Sequence, residues 1–153
     1  MKLSHKKCMK FALDELKKET IMLCGQQVEG GHLTALIDGV PFVAEDVRGF
    51  HSYGVRIIVG LIGDASCRRY ITVAVDDDLG PGEYDVTLEG EVTIGYVIEN
   101  SDGYKEYSAE QGNAGISCAT DDEFSGVFCV TLGEDSPYHK ITDASFAVRN
   151  TTD

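Results

Sequence analysis

From residue 32 onward, apolar and polar positions alternate with a period of two, broken every eight to twelve residues by Gly, Asp, Asn or Pro. The first clear unit is His32 to Ala44. Leu33, Ala35 and Ile37 alternate with Thr34 and Leu36, Asp38-Gly39 interrupts, and a second apolar run follows from Val40 to Ala44. Period two sends successive side chains to opposite faces of a strand. An Asp-Gly pair suits a type I′ turn, whose two central residues both need positive φ. The stretch therefore predicts a β-hairpin, the founding unit of an all-β domain.

The same pattern continues down the chain. Glu45 to Tyr53 reads as a connection with a short strand. Val55 to Ile62 is densely apolar, as expected of a central strand buried on both faces. Gly63 to Ser66 is a turn, and Tyr70 to Val75 is β-branched at every second position. Asp76 to Gly82 has strong turn chemistry. Strands are expected around Tyr84 to Leu88 and Val92 to Glu99, with a hairpin turn at Asn100 to Gly103 leading into Tyr104 to Ser108. Gln111 to Gly115 reads as a Gly-rich bend. Ile116 to Thr120 and Val127 to Leu132 flank a hairpin at Asp121 to Gly126, Gly133 to Pro137 is a loop, and Ile141 to Val148 is the last strand. No helix-length pattern falls between these strands, so βαβ units are not expected. The fold class predicted is an antiparallel β-sandwich or flattened barrel of nine or ten strands.

Residues 1–24 follow a different period. Met9, Leu13, Leu16 and Leu23 fall near one stripe at helical spacing, and Asp14 with Lys18 is a favourable pair four residues apart. This predicts one N-terminal amphipathic helix, Ser4 to Leu23, ending before Gly25. It packs on the domain, covers a sheet edge, docks a partner or a second copy of the chain, or stays a weakly ordered extension. The expected organisation is a basic helix over 1–24, a polar linker over 25–31 and a β domain over 32–149. The acids Asp14, Glu15 and Glu19 interrupt any apolar core that an export signal would need, and no apolar run approaches the 18 or so residues of a membrane span.

Charge sharpens this division. The chain of 153 residues carries 13 Lys and Arg against 26 Asp and Glu, a net −13. Residues 1–24 carry +3 and the remainder −16. An acidic body repels nucleic-acid phosphates and anionic lipid, so neither partner is expected, whereas a basic protein partner is favoured. At this length folding buries roughly 68–70% of the unfolded chain's surface, so no disulfide or metal is needed to hold a core. The five cysteines, at 8, 24, 67, 118 and 129, contain no Cys-x-x-Cys. Phe128 and Val130 are expected to point inward, which turns Cys129 outward and away from Cys118. Reduced thiols and a cytoplasmic location are the expectation.

The chain lacks Gly-x-Ser-x-Gly, Gly-x-Gly-x-x-Gly, P-loop and His-Glu-x-x-His motifs, and its four histidines are scattered. Two acidic clusters stand out: Asp76, Asp77 and Asp78, and Asp121, Asp122 and Glu123. Neither has EF-hand spacing, although loop carboxylates can supply several calcium ligands. Tyr84 and Tyr96 lie in phase with apolar strand positions and are expected in the core, whereas Tyr104, Tyr107 and Tyr138 lie near turns and are expected to be more exposed.

Four segments, taken in order, resemble an uncharacterised bacterial family of small β-sandwich proteins, often lipid-anchored. They are Leu33 to Phe42 (LTALIDGVPF), Leu79 to Val86 (LGPGEYDV), Ser125 to Val130 (SGVFCV) and Ile141 to Val148 (ITDASFAV), matching a pattern of T-A-x-I-D-G-x-P-F, P-G-x-Y, S-G-x-F and I-T-x-x-x-F over residues 32–148. The resemblance implies a β-sandwich and, as an alternative to the cytoplasm, the cell envelope. It implies no activity and transfers no site residue. This chain departs from the family in carrying a basic helix where an export signal is usual, and cysteines in its β domain.

The function expected is a non-enzymatic, acidic binding module, of inhibitor or immunity type, that contacts a protein partner through Asp76, Asp77, Asp78, Asp121, Asp122 and Glu123. No cofactor or metal is expected, and self-association through the N-terminal helix is an option. The alternatives are a small-ligand or carbohydrate-binding β domain and an enzyme built on Cys and His.

Overall fold

A computed structural model describes His5 and residues 31–64, 66–120 and 122–149. The expected helix over Ser4 to Leu23 and the linker over 25–31 lie, apart from His5 and Gly31, outside the described residues.

The founding hairpin forms as the sequence requires. Strand β1 (His32–Ile37) pairs with β2 (Val40–Val43), with Ile37 opposite Val40. Asp38 and Gly39 take φ of 50° and 83°, the positive values that a tight two-residue turn demands. The Asp38 carboxylate also accepts the backbone N–H groups of His139 (3.0 Å) and Lys140 (2.9 Å). These bonds favour the ionised form and hold its pKa below the ordinary 3.8. The hairpin is thereby pinned to the far end of the chain.

The remaining strands are β3 (Asp46–Ser52), β4 (Val55–Asp64), β5 (Cys67–Asp76), β6 (Gly82–Asp85), β7 (Val92–Asn100), β8 (Gly103–Ala119), β9 (Glu123–Leu132) and β10 (Lys140–Arg149). All pairings are antiparallel. The strand order is β2-β1-β10-β9-β8-β7-β5-β4-β3, with β6 paired to β8 beside that path. The expected all-β antiparallel architecture is present as one continuous sheet, curled into a half-barrel. A sandwich would divide these strands between two stacked sheets. They stay joined because β8 runs for 17 residues. Its first part, to Ser108, pairs with β7, and from Ala109 onward it pairs with β9. The Gly-rich bend expected at Gln111 to Gly115 is therefore inside a strand. It lies where the register slips between Ala109 and Gln111, and Gly112 takes φ 148° there. A bulge of this kind bends a strand without ending it.

The concave side holds the main core. Leu33, Phe42, Val47, Ile58, Ile71, Val73, Ile94, Tyr96, Phe124, Phe128, Ile141 and Phe146 are all buried in one cluster drawn from both halves of the sheet. Strands β4 and β5 are buried on their convex side too, where Val55, Ile57, Val59, Leu61, Tyr70, Ala74 and Val97 form a second cluster. Burial on both faces was expected for β4. It extends to β5, whose Tyr70, Thr72 and Ala74 are as inaccessible as Ile71 and Val73. Glu45 to Tyr53 holds a seven-residue strand, longer than expected. Among the described residues, no helix is long and apolar enough to cross a membrane.

Candidate functional site

Strand β5 ends at Asp76, and Asp77 and Asp78 form the turn that follows. The turn is fixed by the backbone. The Leu79 N–H donates to Asp76 O (3.1 Å), the Asp77 N–H to Gly54 O (2.9 Å) and the Asp76 N–H to Glu91 O (3.0 Å). The last bond brings in an acid from outside the run. β5 and β7 are antiparallel neighbours with Val75 opposite Val92, so the residue after one faces the residue before the other. Carboxylate oxygens of Asp76, Asp78 and Glu91 lie within 4.8 Å of one another.

Two histidines approach this end of the sheet from opposite sides. His5 sits on the convex side, where its Nε2 is 2.7 Å from Asp76 Oδ1 and its Nδ1 is 2.7 Å from Thr93 Oγ1. In the neutral tautomer that fits both contacts, Nε2–H donates to the carboxylate and Nδ1 accepts the threonine proton. His51 of β3 lies 3.0 Å through Nε2 from Asp77 Oδ2. Asp76 and Asp77 are consecutive, so their side chains diverge to the two faces and each takes one histidine. Asp78 and Glu91 stay exposed.

The second acidic cluster is elsewhere. Asp121 lies outside the described residues, and Asp122 is exposed. Glu123 is already in β9 rather than in the expected hairpin loop. Its N–H donates to Thr120 Oγ1 (3.1 Å), its Oε1 is 3.5 Å from Arg149 Nε, and its Oε2 accepts from Ser125 (3.3 Å). These contacts close the β8–β9 turn and tie it to β10. Strands β8 and β7 separate β9 from β5. The structure brings Asp76 and Asp78 together with Glu91, with His5 on Asp76 and His51 on Asp77, and places Asp122 and Glu123 apart from them. Glu91, His5 and His51 were not singled out in the sequence. Glu91 becomes legible only once β5 and β7 are known to pair.

Cys67, Cys118 and Cys129 form no disulfide, and Cys129 points outward as its alternation predicts. It borders an open depression of about 520 Å³ on the convex side of β6, β8, β9 and β10, with Glu83, Asn113, Gly115, Val127, Asp143 and Ser145. His32 reaches the rim, with Nε2 3.2 Å from Ser145 Oγ. The tyrosines divide differently from the expectation. Tyr96 is fully buried, but Tyr107 and Tyr138 are half-buried: Tyr138 stands edge-on to Tyr96 at 5.1 Å between ring centroids, and Tyr107 to Tyr138 at 6.2 Å. The Arg69 guanidinium lies over Phe42 (5.6 Å) and donates to the Tyr96 hydroxyl (3.3 Å). These rings close one mouth of the half-barrel as packing.

No family model matches the chain, and neither does any curated protein or solved structure at a significant level.

Proposed function

We propose that this chain is a non-enzymatic, acidic binding module that contacts a basic protein partner through the end of the sheet carrying Asp76, Asp77, Asp78 and Glu91, in the manner of an inhibitor or immunity protein. The observation that carries this reading is the convergence of Asp76, Asp78 and Glu91 within 4.8 Å, on a chain of net charge −13. Closely set carboxylates at a surface draw positive charge, and a partner presenting Lys or Arg there gains encounter rate and orientation. Asp78 and Glu91 are the exposed members and would make the contact. Asp76 and Asp77, each holding a histidine, would shape the turn.

Capture of partners by wild type and by the Asp78→Asn, Glu91→Gln double variant, each at low and high salt, tests the proposal. Capture should fall with salt, because exposed charge pairs are screened beyond about 10 Å at 0.1 M, and it should fall in the double variant. A partner retained equally by both proteins at both salt concentrations would refute it. Millimolar calcium belongs in the same series, since a carboxylate trio is also a candidate for a hard cation. A melting temperature raised by calcium in wild type but not in the double variant would turn the assignment toward ion binding.

A further inference from the structure

The depression on the outer side of β6, β8, β9 and β10 is set by the register of four neighbouring strands. Glu83 of β6 is opposite Gly115 of β8, Gly115 is opposite Val127 of β9, and Val127 is opposite Ser145 of β10. Directly opposed residues put their side chains on one face of a sheet, so these four make a row across the strands. Gly115 adds no side chain to that row. A Cβ there would touch Val127 Cγ2 at 3.5 Å and nothing closer, so the space between Glu83 and Val127 is open. Asp143 enters the same depression from β10. The register of β10 against β9 shifts between Ile141 and Ala144, and Asp143 sits in that bulge at φ 49°. Asp and Asn tolerate this left-handed conformation better than most residues, and a bulge re-aims the side chain it carries.

The lining has one chemical character. Its charged side chains, Glu83 and Asp143, are both acids, and no Lys or Arg of the described residues borders it. The Asn113 amide nitrogen donates to Gly112 O (3.1 Å) and Asp85 Oδ1 (3.2 Å), which leaves the amide oxygen as an acceptor. Ser145 Oγ lies at the rim, 3.2 Å from His32 Nε2. Val127, 54% exposed, and the bare backbone of Gly115 form an apolar floor between the acids. Three strand spacings of about 4.8 Å separate Glu83 from Ser145, roughly 14 Å between backbones. Oxygen acceptors and negative charge thus stand at the two sides, with hydrocarbon in the middle. One metal ion or one ammonium group would span neither that distance nor the floor.

We propose that this depression binds an elongated organic polyamine, with one terminal ammonium on Glu83, another on Asp143, and the methylene chain over Gly115 and Val127. An ammonium group donates hydrogen bonds and accepts none, which suits a lining of carboxylate, carboxamide and hydroxyl oxygens. The methylenes take the exposed Val127 side chain out of water, and that burial adds to the charge attraction. The site lies on strands other than β5 and β7, whose ends carry Asp76, Asp78 and Glu91, so it does not depend on the partner surface proposed there.

Equilibrium dialysis of the full chain against spermidine, with n-butylamine as the single-ammonium control, tests this at about 0.15 M salt, where diffuse attraction is screened. Wild type should retain spermidine and retain n-butylamine far more weakly, because two linked contacts reinforce each other. Glu83→Gln and Asp143→Asn should each weaken spermidine about fivefold, the upper end for an exposed ion pair, and Asn keeps the left-handed conformation at 143. Gly115→Val fills the floor without changing charge and should weaken spermidine too. Gly115→Ala takes its place if strand circular dichroism shows that the larger side chain disturbs folding. The Asp78→Asn, Glu91→Gln variant has the same net charge as a Glu83→Gln, Asp143→Asn variant, yet it should bind spermidine as wild type does. Equal loss in these two double variants overturns the proposal, because acidity at large would then account for the binding. So does n-butylamine retained as well as spermidine, or no spermidine retained by wild type.

Discussion

Gly126 and Gly115 are near neighbours on β9 and β8, and alanine should have opposite consequences at the two. A Cβ at Gly126 would lie 2.4 Å from the carbonyl oxygen of Gly115 and 3.1 Å from Cζ of Phe146. The first contact is with backbone, which cannot rotate away. The second is with a ring held on both sides, by Phe124 at 5.2 Å and Phe128 at 6.1 Å between centroids. Gly126 is opposite Phe146 in the β9–β10 ladder, and the bare glycine leaves the space that this ring occupies. A Cβ at Gly115, by contrast, would only touch Val127 Cγ2 at 3.5 Å, an ordinary contact. Forcing atoms into a packed core costs about 1–3 kcal/mol, and a backbone clash puts Gly126→Ala at the upper end, about 3 kcal/mol. Gly115→Ala should change stability by about +0.4–1 kcal/mol, through reduced freedom of the unfolded chain. With about 2–4 °C of melting temperature per kcal/mol at this size, Gly126→Ala should melt about 6–12 °C below wild type and Gly115→Ala at or slightly above it. Thermal melts followed by strand circular dichroism, with urea unfolding as a check, measure both. Equal shifts in the two variants, or a Gly126→Ala midpoint within about 2 °C of wild type, would refute the packing argument.

Three further outcomes follow from particular groups. Asp38→Ala removes the acceptor for two backbone N–H groups and places alanine at φ 50°, so its melting temperature should fall by several degrees at neutral pH. Because folding lowers the Asp38 pKa, its ionised form stabilises the protein above about pH 4 and that contribution fades as pH drops through the folded-state value. The gap between wild type and Asp38→Asn should therefore narrow in acid, and a gap independent of pH would count against it. Burial, followed by the Glu99 carboxylate that accepts its hydroxyl proton at 3.1 Å, pushes the Tyr70 phenol up to about 12. Its stabilising effect is complete below pH 10 and is lost between pH 10 and 12; burial raises the Tyr96 phenol as well, so phenolate absorbance should show two late-titrating groups, of which Tyr70→Phe removes one. Replacing Phe146 by Leu shrinks a fully buried ring and should cost roughly 1–3 kcal/mol, below the 3–5 kcal/mol of a full truncation to Ala, read from the urea midpoint.

What the sequence determined by itself is local. Period-two alternation placed the strands, and Asp38-Gly39 fixed the turn of the first hairpin, because positive φ at two successive residues is a demand that few residue pairs meet. The same alternation sent Phe128 and Val130 inward and Cys129 outward. What the alternation does not encode is which strands meet. The Gly-rich stretch at 111–115 carries turn chemistry, yet β9 on one side of β8 and β6 on the other hold it extended, so two short strands become one that joins both halves of the sheet. The site depends on the same non-local choice. β6 leaves to pair with β8, and β7 returns to β5, which sets Glu91 beside Asp76. Strand pairing is selected by the fit of whole faces rather than by any single residue, so the acidic trio exists only in the folded chain.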